Sequence, residues 1–292
     1  MASLIENLQN KMGTLDEFGQ LTTRVLEYLP NIVTGSFTSK GYTVRIAESA
    51  GSKKYGRPTR DTLFVNDPSE FEKTFLRTRA LLKQSVRENR EYSPEDFETI
   101  DRSVYTMQQT VGLGLDFLSN PNSARKHTGN RFEEIVRLLV SEVGISNKKT
   151  VLKIPYGSGQ TYSAETDLIF SPYDQVQSDS VEIDPREVVV SVKTSSKDRM
   201  GKIFIDKLLM ERFVQHPVKV IGIFLNDVQR KADTGISYTF VSGLFMVYSE
   251  FLVRLDGAYW VDRPPITETP EYAPFTASFS TFLLRDIHTL IA

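Results

Sequence analysis

Cysteine is absent from the 292 residues. Disulfides and thiolate metal sites are thereby excluded, and a reducing compartment suits the chain. No apolar run approaches the roughly 18 residues that a membrane helix needs, so no span is expected. The opening Met1-Ala2-Ser3-Leu4-Ile5-Glu6-Asn7 has neither the charged start nor the apolar stretch of a secretory leader. A cytoplasmic location is the expectation. Histidine is scarce, and His127, His216 and His288 are too scattered for a zinc site. Neither sign of charge is in excess: 35 Lys and Arg face 37 Asp and Glu, a formal net charge of −2. That gives no bulk attraction to nucleic acid and argues against a DNA-coating protein. It weighs less against a site-specific enzyme, which needs only a locally basic groove.

What is present is the ordinary stock of a globular chain, 40% hydrophobic and 25% charged, long enough for one large domain or two small ones. Residues 1–120 read mainly as helices. Leu15, Phe18, Leu21, Val25 and Leu29 have helical spacing over 15–29, with Pro30 expected to stop that helix. Further helices are expected over 69–87 and over 95–118, the latter after Ser93-Pro94. Between them, 41–65 reads as strand and loop, with Lys53, Lys54, Arg57 and Arg60 around Tyr55 and Gly56. Those four cations suit either phosphate contact or plain solvation.

The turn cluster Asn120-Pro121-Asn122-Ser123 marks a change of character, and 121–292 reads as a second region. A helix is expected over 129–143, strands over 150–155, 164–170 and 187–194, a helix over 200–215 and a strand over 218–225. The segments 237–248 and 250–255 look strand-like, and a short helix over 279–291 closes the chain. A polar, acidic excursion fills 171–186. This order predicts an α/β architecture, a central mixed sheet flanked by helices. Gly157-Ser158-Gly159-Gln160-Thr161 lacks the Gly-Lys-Ser/Thr of a phosphate loop and reads as a hairpin turn, which weakens a nucleotide-binding function.

Chemistry concentrates on the strand 187–194. Val188, Val190 and Val192 share one face, while Val189, Ser191 and Lys193 share the other. A lysine at the end of a buried strand marks either its exit to solvent or a site. Asp167 lies within another apolar strand, where Asp is disfavoured. A buried carboxylate there wants a metal or a lysine. Asp206 falls on the apolar face of the next helix with Ile203, Leu209 or Met210, and Phe213. It either pairs with Lys202 or Lys207 or supplies a carboxylate to the site.

Asp167 on one strand and Ser191-Val192-Lys193 on the next resemble the PD-(D/E)xK nuclease signature. Thr166 stands where that family has proline, and Ser191 where it has its second acid. Serine is a poor Mg²⁺ ligand beside a carboxylate. The match then narrows to the type II restriction endonucleases that move the second acid to the following helix and recognise CCGG-, CCNGG- or CCWGG-type sites. Lys193-Thr194-Ser195-Ser196-Lys197-Asp198-Arg199 is similar to their Lys-Thr-Thr-x-Lys-Asp-Arg element. Asp206 follows Arg199 at the expected distance, with Asp in place of the usual Glu and Met200 in place of an aromatic residue.

The resemblance covers about 129–225. It implies Mg²⁺ held by Asp167 and Asp206, Lys193 as a further catalytic residue, and a 5′-phosphate product from double-stranded DNA. It also implies a homodimer on a two-fold symmetric site and a bacterial or archaeal source. Lys197, Asp198 and Arg199 would then read C·G pairs in the major groove, since arginine matches guanine O6 and N7 and aspartate the cytosine amino group. Their bland alternative is a solvated helix start with Asp198 as cap. Gly129-Asn130-Arg131-Phe132-Glu133-Glu134 resembles the branch's Gly-x-x-aromatic-Glu pattern and nominates Glu133, or else Glu134, as a further acid. Residues 1–120 would serve DNA contact or dimerisation. Two alternatives stay open: a repair or recombination nuclease with the same core, and a DNA-binding protein that has lost catalysis with its second strand acid.

Overall fold

Reciprocal caps start the N-terminal helices of the computed structural model, which describes residues 3–49, 51–86, 91–231 and 235–292. Ser3 and Glu6 form a capping box at α1 (Leu4–Gln9), and Thr14 and Glu17 form another at α2 (Leu15–Ile32). Each box satisfies backbone N–H groups that a helix start leaves open. Pro30 does not end α2 as expected. It sits inside the last turn, and the helix runs on to Ile32. So near the end, proline removes one donor while the carbonyl of Leu29 still accepts from Val33 N–H.

Four strands follow: β1 (Val33–Ser39), β2 (Tyr42–Ser49), β3 (Ser52–Tyr55) and β4 (Thr59–Arg60), all antiparallel to β2 where they pair with it. The 41–65 segment thus belongs to a sheet of its own. Its first turn is tight: Ser39 pairs with Tyr42, leaving Lys40 (φ 53°) and Gly41 (φ 76°) between them. Two positive φ angles define a type I′ hairpin, where Asn, Asp or Gly is preferred at the first position. Lysine there costs about 1–2 kcal/mol.

Then come α3 (Pro68–Ser85), α4 (Pro94–Leu118) and α5 (Pro121–Glu142). The expected last residue of the third helix, Arg87, lies outside the described residues. Asp67 caps α3 and Ser93 caps α4, each before a proline at the first helical position. From Ile100 onward α4 is buried almost all round, so it is an interior helix rather than an amphipathic one. Its Gly112 lies under the guanidinium of Arg57, where a Cβ would come within 2.2 Å.

The remaining strands begin with β5 (Ser146–Lys148), β6 (Val151–Tyr156), β7 (Gln160–Glu165), β8 (Leu168–Ser171) and β9 (Val188–Lys193). After α6 (Met200–Val214) come β10 (Lys219–Phe224), β11 (Val228–Lys231) and β12 (Gly235–Tyr238). The chain closes with α7 (Ser242–Phe251), β13 (Gly257–Trp260), β14 (Thr276–Ser278) and a helical segment over 279–290. The structure therefore overturns the strand expectation for 237–248 and 250–255, since 242–251 is helix. Phe245, Met246, Tyr248 and Phe251 are apolar in a short run, and such a run does not distinguish a strand from a packed helix. The 157–159 turn is the hairpin between β6 and β7.

The chain divides into two compact units. The first holds 1–138 and the returning segment 227–239, whose hairpin β11–β12 packs Val228 and Ile236 against Tyr42, Val44 and Phe37. The second holds 139–226 and 240–292. It is built on a six-stranded mixed sheet in the order β14-β13-β10-β9-β8-β5. The first four are mutually parallel, β8 runs antiparallel to β9, and β5 runs antiparallel to β8. The β9–α6–β10 crossover gives the sheet its central parallel pair, with Ile203, Phe204 and Met210 of α6 packed with Val189, Val220 and Phe224. Both faces of β9 are covered: Val188, Val189, Val190 and Val192 are all buried.

One buried cation fixes where α6 lies. Lys207, 7% exposed, donates to the carbonyl of Val218 at 2.6 Å and to Asp256 at 2.7 Å. Asp256 also accepts from Val220 N–H at 2.7 Å. Helix, strand β10 and the approach to β13 thus meet at one ammonium. Removing its principal carboxylate leaves a buried charge short of a partner. Asp256→Ala is expected to lose about 1–3 kcal/mol, less than the 3–5 of a fully buried pair because Asp256 is a third exposed. Urea unfolding measures it, and unchanged stability would contradict the assignment.

Candidate active site

The ladder between β8 and β9 aligns Leu168 with Val190, Ile169 with Val189 and Phe170 with Val188. One step further, the same antiparallel register sets Asp167 opposite Ser191. Directly opposed residues share a face, and Lys193 is the next residue on that face of β9. Asp167 is not in mid-strand as expected. It stands at the break between β7 and β8. The preceding Thr166 makes that break: its hydroxyl donates to the carbonyl of Thr150 at 2.9 Å and accepts from Thr150 N–H at 3.1 Å, while its own N–H reaches the same carbonyl. Leaving the ladder suits aspartate, which is a poor strand former.

Asp167 is held from three sides. Its Oδ2 accepts from Val192 N–H at 2.8 Å, lies 3.4 Å from Ser191 Oγ, and contacts the ammonium of Lys193. Lys193 and Asp167 are 21% and 16% exposed, so the pair is mostly desolvated yet open on one side. Lys193 is therefore not simply a strand exit to solvent. On α6, Asp206 is half-buried and pairs with Lys202 one turn earlier. It nonetheless lines the same cleft of about 340 Å³ as Asp167, Ser191 and Lys193. Asp206 thus pairs with Lys202 while its side chain borders the cleft. Lys207 and Glu211 do not join them, since Lys207 is engaged as described above and Glu211 accepts from Val218 N–H.

The cleft floor is apolar, formed by Val189, Val220, Ile203 and Met210, and Glu165 and Tyr162 of β7 complete its rim. Arg199 and Lys202 line it too. Sequence reasoning gave Lys202 only a pairing role. Its position one turn from Asp206 was the signal available. Lys197, Asp198 and Arg199 are all exposed. Asp198 does not cap α6. The cap position belongs to Arg199, with no side-chain hydrogen bond, and Asp198 takes φ 37°. Turn closure comes from the backbone, with Arg199 and Met200 N–H donating to Ser196 carbonyl at 3.1 and 2.9 Å.

Glu133 is half-buried on α5, in the first unit. Its neighbour Glu134 is engaged there by Arg131 at 2.7 Å and by Met12 N–H at 3.2 Å. Two cations of the basic segment 53–60 are engaged within that unit. Lys54 donates to Phe117 carbonyl at 2.7 Å, and Arg57 is bound by Asp116 at 2.9 Å.

As donors for a metal, the cleft offers the carboxylates of Asp167 and Asp206 beside the Ser191 hydroxyl, with Glu165 at the rim. No cluster of three or more His, Asp or Glu side chains occurs among the described residues. An all-oxygen set with one or two carboxylates suits Mg²⁺, which keeps several waters and shares substrate phosphate oxygens. The donors fit, provided that each acid exchanges its lysine for the metal.

Comparison with known proteins bears on this geometry. No family model and no curated protein matches the chain. Among solved structures, the type IIP restriction endonuclease Kpn2I is similar with a TM-score of 0.69, covering 95% of this chain and 91% of that chain at 17% identity. The restriction endonuclease PspGI, in complex with substrate DNA, matches with a TM-score of 0.44 over 76% of this chain and 92% of that one, at 12% identity. The fold is restriction-endonuclease-like. The likeness to Kpn2I takes in the N-terminal region, which the sequence motifs did not reach.

The backbone at Asp198 yields a prediction. An L-residue pays for positive φ, and glycine does not. Asp198→Gly is expected to stabilise the fold by up to about 1 kcal/mol. A lowered melting temperature would show that the Asp198 side chain makes a structural bond there.

Proposed function

We propose that the chain is a type II restriction endonuclease, hydrolysing double-stranded DNA at a specific site with a divalent metal. One observation carries the proposal: Asp167, Lys193 and Asp206, from a strand break, a strand end and the next helix, line a single cleft. The fold shared with Kpn2I supports it. In this reading Asp167 and Asp206 hold Mg²⁺, which when bound supplies Lewis-acid stabilisation of a phosphate and lowers the pKa of a water. Lys193, oriented by Asp167, places a positive charge where the pentacovalent phosphate gathers negative charge. Water oxygen bonds to phosphorus, the bond to the 3′ oxygen breaks, and the product keeps a 5′-phosphate.

Arg199, lining the cleft, and Asp198 beside it would read adjacent C·G pairs, so a site containing CC and GG is expected. Two copies acting as a homodimer would match a two-fold symmetric sequence. Glu133 is proposed as a further catalytic acid on the strength of its helix motif alone.

A second reading is favoured by the paired lysines: with both acids closed on ammonium groups, the chain could bind DNA without cutting it. Metal separates the two. Cleavage of phage DNA with Mg²⁺, abolished by excess EDTA, is the expected outcome. Asp206→Ala should reduce cutting at least about 100-fold while leaving folding and binding intact, as loss of a metal ligand typically does. No cutting by the parent protein under any divalent metal would favour the binding protein. Full activity in Asp206→Ala would remove Asp206 from the site.

Readout is tested separately. Arg199→Ala should lose about 1–3 kcal/mol of discrimination at one guanine. Binding to the preferred site and to single-base variants measures it, and unaltered preference would leave Arg199 without that role.

A further inference from the structure

The basic residues of the first unit are not spread evenly. Between 33 and 60 the sequence has Lys40, Arg45, Lys53, Lys54, Arg57 and Arg60 against a single acid, Glu48. This is a chain whose acids otherwise outnumber its bases. Lys54 and Arg57 face inward, to Phe117 and Asp116. Arg45 is turned to Thr59 and Asn66. Further exposed cations gather about the hairpin β11–β12.

That hairpin lies on the face of the β1–β3 sheet that carries Tyr42 and Val44. Tyr55 and Lys53 share this face, because Tyr55 pairs with Ile46 and Lys53 with Glu48. Arg230 lies over the Tyr55 ring at 4.1 Å, and Lys40 over the Tyr238 ring at 5.4 Å. Lys40, Lys53, Arg230 and Lys231 are all exposed. Two of the four therefore hold their charged groups over tyrosine rings while the residues stay exposed, which limits the freedom lost when an anion is bound. Lys40 also occupies a left-handed position where asparagine or glycine would serve the turn better.

We infer that Lys40, Lys53, Arg230 and Lys231 form a duplex-DNA contact surface that grips phosphates without reading sequence. The inference rests on the proposed action on double-stranded DNA. The chemistry is that of sequence-independent binding: exposed cations release counterions from phosphates, and each contact adds to the salt dependence. Within the β2–β3 ladder, Glu48 sits opposite Lys53.

The test replaces the four charges together, as Lys40→Asn, Lys53→Gln, Arg230→Gln and Lys231→Gln. Binding to a random-sequence duplex is followed by fluorescence anisotropy across a salt series in EDTA. A control variant changes Lys73, Lys83, Lys126 and Lys148, also exposed, to Gln. The surface variant should bind at least about tenfold more weakly near 0.1 M salt, with a salt slope shallower by about 2–4, since each phosphate contact contributes about 0.9. Its cutting rate at saturating DNA should equal that of the parent. The control should change neither affinity nor slope by as much. Lys40→Asn alone should raise the melting temperature while weakening binding, which a purely structural lysine would not do. Equal losses in surface and control variants, or an unchanged slope in the surface variant, would overturn the inference. Weaker binding of the surface variant to single strands or anionic vesicles, with duplex binding unaltered, would overturn it too. Lys193→Ala that cut normally would sink the active-site reading and leave the salt result standing. A parent protein that bound no duplex would sink both.

Discussion

The pairing of Asp167 with Lys193 sets the terms for the second unit. Strand β9 is covered on both faces, and the lysine at its half-buried end meets a carboxylate close by. The antiparallel register with β8 brings Asp167 to that place, and Thr166 turns the chain just before it by binding both backbone groups of Thr150. Val192 N–H, left open where the ladder ends, takes the same carboxylate oxygen. One ion pair therefore closes the end of a ladder, satisfies a backbone donor and leaves its open side toward a cleft. A buried pair of this kind adds little net stability. Its persistence at the mouth of a cleft suits a site that exchanges partners.

A second ion-pair system holds the other wall. Lys207, Asp256 and Val218 fasten α6 to β10, and Asp206 is the residue immediately before that anchor. Lys207 faces the sheet edge and Asp206 faces the cleft, about 100° apart around the helix. The Asp206 carboxylate is thus carried by a helix whose position is set by a different charge. Ser191 keeps the small side chain and Oγ that bring it within 3.4 Å of Asp167 Oδ2.

Charge is partitioned between the units in a way that the net value conceals. A formal −2 describes the chain as a whole, while the β1–β3 sheet and its hairpin collect cations, some bound internally and some displayed. The cleft itself balances acids with lysines. A chain can thus be acidic overall and still present positive surfaces where an anion would bind.

Much of this was legible in the amino-acid order. Period-2 alternation over 187–194 and the helix start at Ser93-Pro94 are local physics, and they pointed to the strand and the helix found there. The mixed sheet followed from the order of elements. The Lys197-Asp198-Arg199 element and its distance to Asp206 followed from a motif. What the sequence could not decide depended on pairing at long range. Whether 242–251 was strand or helix turned on what its apolar side chains met. Whether Asp198 capped α6 turned on backbone angles that the adjacent residues share. The inward fate of Lys54 and Arg57 depended on Phe117 and Asp116, about sixty positions away. The return of 227–239 to the first unit left no local mark at all, because a hairpin's own sequence does not say which sheet it will cover. Sequence by itself determined which residues could do chemistry. Tertiary structure decided which of them meet, since a contact between distant residues is a property of register and packing and not of either residue alone.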